Sequence, residues 1–70
     1  MSELQIKILR IISGLPCTTR ALGARLGVDQ IVIGVEMRRL FAEGLVVSSS
    51  LSGLVIWDVT DKGRKSLEVS

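Results

Sequence analysis

Apolar residues recur along the first dozen positions with helical spacing: Leu4, Ile8, Ile11 and Ile12 fall at i, i+4, i+7 and i+8. Ser2 followed by Gln5 has the spacing of a capping box, so the pattern predicts a first helix that closes near Ser13-Gly14, with Pro16 barring its continuation. On the helical wheel Ile6 lies opposite the Leu4/Ile8/Ile11 stripe and Leu9 sits well off it, and a helix with two apolar sides needs two neighbours. Thr18 or Thr19 can cap a second helix, TTRALGARL, whose inner pair is Leu22 and Leu26. Gly27-Val28-Asp29 makes a tight turn, and Asp29 is placed to cap a third helix running to about Glu43. Its inner face is Ile33, Met37 and Leu40, with Phe41 flanking and Gly44 as the stop.

The period then changes from helical to alternating. LVVSS and LVIWDV, joined by SLSG around residues 50 to 53, predict a β-hairpin in which Trp57 and Val59 point to the core and Ile56 and Asp58 point away. Thr60 can cap a short last helix, DKGRKSLE, interrupted early by Gly63.

Seventy residues fit one domain, residues 1–70, of a size whose buried surface leaves stability marginal without help. Pairing with a second copy is one source of that help. The chain is 47% hydrophobic, with a mean hydropathy of +0.48, so apolar surface is expected to remain for a partner. No apolar run is long enough to span a bilayer, and MSELQIKILRIIS carries charges where a signal peptide needs an unbroken apolar stretch. A cytoplasmic protein with no membrane partner is the expectation.

Catalysis is not expected either. Histidine is absent, the seven acids are scattered, and no phosphate-cradling glycine loop or nucleophile elbow occurs. Cys17 has no second thiol for a disulfide or a zinc site and reads as a small filler near a turn. No metal or other cofactor is expected.

The order helix, helix, turn, helix, hairpin, with the stretches ALGARLGV, RRLFAEGLV and WDVTDKG, resembles the winged helix-turn-helix family, especially its MarR-like and ArsR-like regulators. The matching positions are Leu22, Gly23, Leu26 and Gly27 in the first stretch, Leu40, Gly44 and Leu45 in the second, and Val59, Thr60 and Gly63 in the third. The implied fold is α+β, mostly α: a three-helix core, a hairpin wing and a short C-terminal helix. The implied function is a small sequence-specific DNA-binding transcriptional regulator, not an enzyme, acting on double-stranded DNA as a homodimer.

By that resemblance the third helix enters the major groove and the wing reaches the backbone or the minor groove. The base-facing residues would be Gln30, Ile31, Val32 and Val35, with Glu36 beside them. Gln30 has a hydrogen-bonding edge for a base pair, whereas the three aliphatics can only meet thymine methyls. Phosphate contacts would come from Thr18, Thr19 and Arg20 at the start of the second helix, Arg38 and Arg39 further along the third, and Ser49 and Ser50 in the wing. Ile6, Leu9, Leu67 and Val69 would form the dimer interface.

Charge complicates this picture. Residues 1–28 carry a net charge of +3, residues 29–57 carry −1, and the remainder balances at zero, so positive charge is not concentrated on the third helix and wing. The wing tip has no Lys or Arg at all. An alternative therefore stands beside the first: a winged-helix interaction module, such as an antirepressor or assembly subunit, whose patch Ile31, Val32, Val35 and Leu51 binds protein. Gly34, mid-helix where glycine costs about 1 kcal/mol against alanine, fits either close packing on the second helix or close approach of a partner.

Overall fold

The computed structural model describes residues 1–68. Helix α1 spans Glu3–Gly14, α2 Thr19–Leu26 and α3 Gln30–Ala42; strands β1, Val46–Leu51, and β2, Leu54–Val59, follow, and α4, Asp61–Glu68, closes the described chain. This is the expected α+β order, with each helix boundary within about a residue of the one that the caps and stops predict.

The local causes are those the sequence carries. Ser2 Oγ accepts from the Gln5 amide at 3.2 Å while the Ser2 amide donates to Gln5 Oε1 at 3.2 Å, completing the capping box of α1. Of the two threonines, Thr18 is the cap of α2, accepting from the Ala21 amide at 3.1 Å. Asp29 accepts from the Ile31 amide at 2.8 Å and starts α3. Gly27, at φ 65°, makes the left-handed residue on which the α2–α3 turn depends. Gly23 is needed for a different reason, because a Cβ there would lie 2.7 Å from the Val28 carbonyl oxygen, so only glycine lets α2 meet this turn so closely.

Ile8, Leu9, Ile12, Leu22, Ile33, Met37, Leu40 and Val46 are fully buried, and Cys17, Leu45 and Val59 complete the core. Leu9 is a correction to the expected interface role, because it has no surface to offer a second copy. The reason lies in a polar pair. Gln5 and Glu36, both acceptable surface residues on pattern alone, are buried together, with Gln5 Nε2 donating to Glu36 Oε1 at 3.2 Å. Admitting Gln5 turns the inner face of α1 to Gln5, Ile8, Leu9 and Ile12, leaving Leu4 and Ile11 half-buried at its edge. Leu67 also packs against this core, and Ile6 is half-buried. Val69, the fourth residue expected at a dimer interface, lies outside the described residues.

The hairpin pairs antiparallel from Val46↔Val59 to Leu51↔Leu54, so β1 runs further than expected and the turn is Ser52-Gly53 alone. Both turn residues have positive φ, 51° and 80°, the two-residue geometry whose twist matches that of the strands. Alternation puts Val46/Val59, Ser48/Trp57 and Ser50/Val55 on one face and Val47/Asp58, Ser49/Ile56 and Leu51/Leu54 on the other. Trp57 also exchanges two backbone hydrogen bonds with Cys17, at 2.8 and 3.1 Å, which ties β2 to the segment before α2. At the hairpin base the Thr60 hydroxyl donates to the Gly44 carbonyl at 2.7 Å and accepts from the Gly63 amide at 3.1 Å, while Lys62 Nζ donates to the Glu43 carbonyl at 2.8 Å.

Candidate nucleic-acid interface

The start of α2, the start of α3 and the tip of the hairpin converge on one side of the molecule. They enclose an open groove of about 410 Å³ lined by Thr18, Thr19, Arg20, Gln30, Ile31, Gly53, Leu54 and Val55. Arg20 and Gln30 also border a second, smaller groove, beside Gly23, Ala24, Val28 and Asp29. The tight Gly23 crossing is what brings the two helix N-termini this near to each other.

Thr18 uses its hydroxyl oxygen as the α2 cap. Thr19 Oγ1 accepts from the indole Nε1 of Trp57 at 3.1 Å. A hydroxyl that accepts one bond still has a proton to donate. Both threonines therefore keep a donor, next to the outward amides that every helix N-terminus leaves free. Arg20 is exposed beside them. This cluster suits an anion, and its members stand at the start of α2 as the sequence pattern expects.

On α3 the apolar residues are conspicuous. Ile31 is 74% exposed, and Val32 and Val35 are each 44% exposed, so folding does not account for them. Glu36 is not on this side: its carboxylate is held inward by Gln5 and by Arg39, whose Nη1 is 3.4 Å away. It is removed from the base-facing set, and Arg39, though exposed at its end, is partly committed to that carboxylate. Arg38 is exposed and shares the outward helical face of Ile31 and Val35.

Gly34 resolves one of the two open alternatives. A Cβ there would meet nothing within 4 Å, so packing on α2 is not its reason. In the hairpin, Ser50 shares the face of Val55 and Ser49 that of Ile56 and Leu54; both serines are exposed, and neither lines the groove. Leu54 and Val55, rather than Leu51, line the groove with Ile31.

Trp57 is the residue that sequence reasoning undervalued. Alternation gave its inward direction but not its partner; an indole N–H near a core does need an acceptor, and Thr19 is the one it finds. Its ring also meets Phe41 edge-on, with centroids 6.3 Å apart. Trp57 thereby fixes the hairpin, α2 and α3 relative to one another.

Three helices, a tight turn before the third, and a hairpin returning to a short helix define the chain as a winged helix-turn-helix domain. Among solved structures it is similar to the transcriptional regulator BldR from Sulfolobus solfataricus, with 33% identity and a TM-score of 0.93 over 99% of this chain and 52% of that one. It is also similar to a mutant of Lactococcus lactis ZitR in complex with DNA (18% identity, TM-score 0.89, 97% of this chain and 49% of that one). A third is the adhesin competence repressor AdcR from Streptococcus pyogenes (14% identity, TM-score 0.93, 99% and 53%). The chain spans about half the length of these regulators, which are a non-enzyme class. No protein-family model and no curated protein sequence matches it. Among the described residues no helix is long and apolar enough to cross a membrane, and no group of side chains is suited to a metal ion.

Proposed function

We propose that this domain is a DNA-binding transcriptional regulator that presents α3 to the major groove and the wing to the flanking minor groove. The observation that carries the reading is the convergence of two helix N-termini and the wing tip around Thr18, Thr19, Arg20 and Gln30. That arrangement offers hydroxyls, outward amides and one guanidinium to phosphates, with a glutamine at the first turn of the reading helix. Ile31, Val32 and Val35 suit thymine methyls, so the preferred half-site is A/T-rich, with Gln30 bonding an adenine edge. Arg38 and Ser50 extend the backbone contacts.

Regulators of this geometry act on two half-sites, and pairing of two copies is part of the proposal. With Leu9 buried, the surface that supports it is the groove of about 740 Å³ bordered by Met1, Ile6, Ala42, Leu45 and Lys62 between α1, the end of α3 and α4. Light scattering across concentration tests the pairing.

Fluorescence anisotropy with random duplex between about 50 and 200 mM salt tests the DNA reading. Weak binding at low salt, falling with a log-log slope that reflects several phosphate contacts, is the expected result; no binding at low salt refutes it. A second reading is favoured by one observation, the exposed aliphatic run Ile31, Val32 and Val35 without neighbouring cations in the wing. In it the same face binds protein. Val35→Asp separates the two: loss of a protein association with the fold intact supports the second reading, and an unchanged association removes it.

A further inference from the structure

The wing has an unusual division of chemistry. Its shaft carries three consecutive exposed hydroxyls, Ser48, Ser49 and Ser50, and its point carries two leucines, Leu51 at 63% and Leu54 at 58% exposure. These leucines are cross-strand partners on one face of the ribbon, held side by side by the two-residue turn at Ser52-Gly53. Nothing among the described residues covers them. Leu54 also borders the groove that holds Thr18, Thr19, Arg20 and Gln30, so the point of the wing is continuous with the polar cluster assigned to DNA. A tip without Lys or Arg releases no counterions on meeting a phosphate backbone. Whatever it adds to binding must come from burying apolar surface, and hydroxyls along the shaft are suited to phosphates on either side of such a contact.

We propose that the wing tip is an apolar wedge: Leu54, backed by Leu51, enters the minor groove, partly unstacks one base step and bends the duplex towards the major groove. The proposal rests on the DNA-binding reading above. Minor-groove proteins that insert aliphatic side chains between base pairs kink the duplex by roughly 20–90°, and pyrimidine–purine steps yield most readily. The recognised element is therefore a flexible step, TA or CA, lying beyond the segment that α3 contacts. Specificity at that step comes from deformability, with no hydrogen bond from the wing to a base edge.

An alternating T-A duplex, dye-labelled at both ends and carrying 2-aminopurine within it, tests this with the full chain at about 50 mM salt. Anisotropy reports binding, 2-aminopurine emission reports unstacking, and energy transfer between the ends reports bending. Saturating protein is expected to raise the emission and shorten the end-to-end distance. Leu54→Ala should abolish both signals and weaken binding about tenfold, Leu51→Ala should reduce both, and Leu54→Met should retain them. Both leucines are exposed, so unchanged circular dichroism and melting of the variants are expected. Binding that leaves emission and distance unchanged overturns the wedge while the DNA reading stands, as does a Leu54→Ala protein that unstacks and bends like the parent. Absence of binding in the anisotropy arm overturns the DNA reading and the wedge with it.

Discussion

Replacing Gly34 by alanine should stabilise the domain. Gly34 is the fifth residue of the thirteen in α3, away from both ends and from any positive-φ conformation. A Cβ there would touch nothing within 4 Å, so no clash offsets the gain in helix propensity. Glycine in a helix interior is about 1 kcal/mol less favourable than alanine, and in a domain of this size 1 kcal/mol moves the melting temperature by roughly 4–8 °C. Melting followed by circular dichroism at 222 nm, with urea titration at 25 °C as a second measure, reads the change. A melting temperature that is unchanged or lower refutes the argument, since it would mean that the free space around Gly34 is filled in solution. The same variant reports on function. If Gly34→Ala melts higher yet binds duplex more weakly, the glycine is retained so that the backbone of α3 can come close to its partner.

Three further outcomes follow from particular contacts. Gln5→Leu removes both the donor to the buried Glu36 carboxylate and the capping-box acceptor of the Ser2 amide, and should destabilise by about 1–3 kcal/mol in urea titration; the double variant Gln5→Leu/Glu36→Leu should recover the part caused by the unpaired carboxylate but not the capping share, and no recovery at all would show that the pair is not the cause. Gly63→Ala would drive a Cβ against the Leu45 carbonyl and to 2.6 Å from Val59 Cγ2, so a loss of about 1–3 kcal/mol is expected, and a neutral effect in the same assay would contradict the close packing of α4. Arg20→Ala should weaken binding to all duplexes alike and lower the salt slope by about one; a change confined to one sequence would instead assign Arg20 to base reading.

The helices were legible because their punctuation is local. Ser2 with Gln5, Thr18, Asp29 and Thr60 each act over three residues or fewer, and the structure uses each as the cap it resembles. The inner face of α3 was legible for the same reason, as Ile33, Met37 and Leu40 repeat at helical spacing. What pattern could not carry is the pairing of two polar residues 31 positions apart. Gln5 and Glu36 each look like surface residues, and their meeting is compatible only with an α1 face that also buries Leu9. At the candidate site the residue types were legible but their grouping was not. Thr19 finding Trp57, and Leu54 rather than Leu51 bordering Ile31, depend on where β2 crosses the start of α2. Gly34 looked ambiguous because a glycine spaced for packing and one spaced for a partner are the same letter.

The two backbone bonds between Cys17 and Trp57 have a kinetic consequence. A lone two-stranded hairpin opens and closes freely, and its amides exchange with solvent almost as fast as those of an unfolded chain. Here the amide protons of Cys17 and Trp57 lie between β2 and the α1–α2 connection, so neither is released until both segments part. Opening near the wing base is thereby joined to opening of the helical core, while the tip beyond Val55 has no such tie and is expected to open more readily. In hydrogen exchange the protein would then show a gradient along a single ribbon, slow at Trp57 and fast at Gly53. Such a gradient would mean a stiff root that keeps its aim and a compliant end that adapts to what it meets.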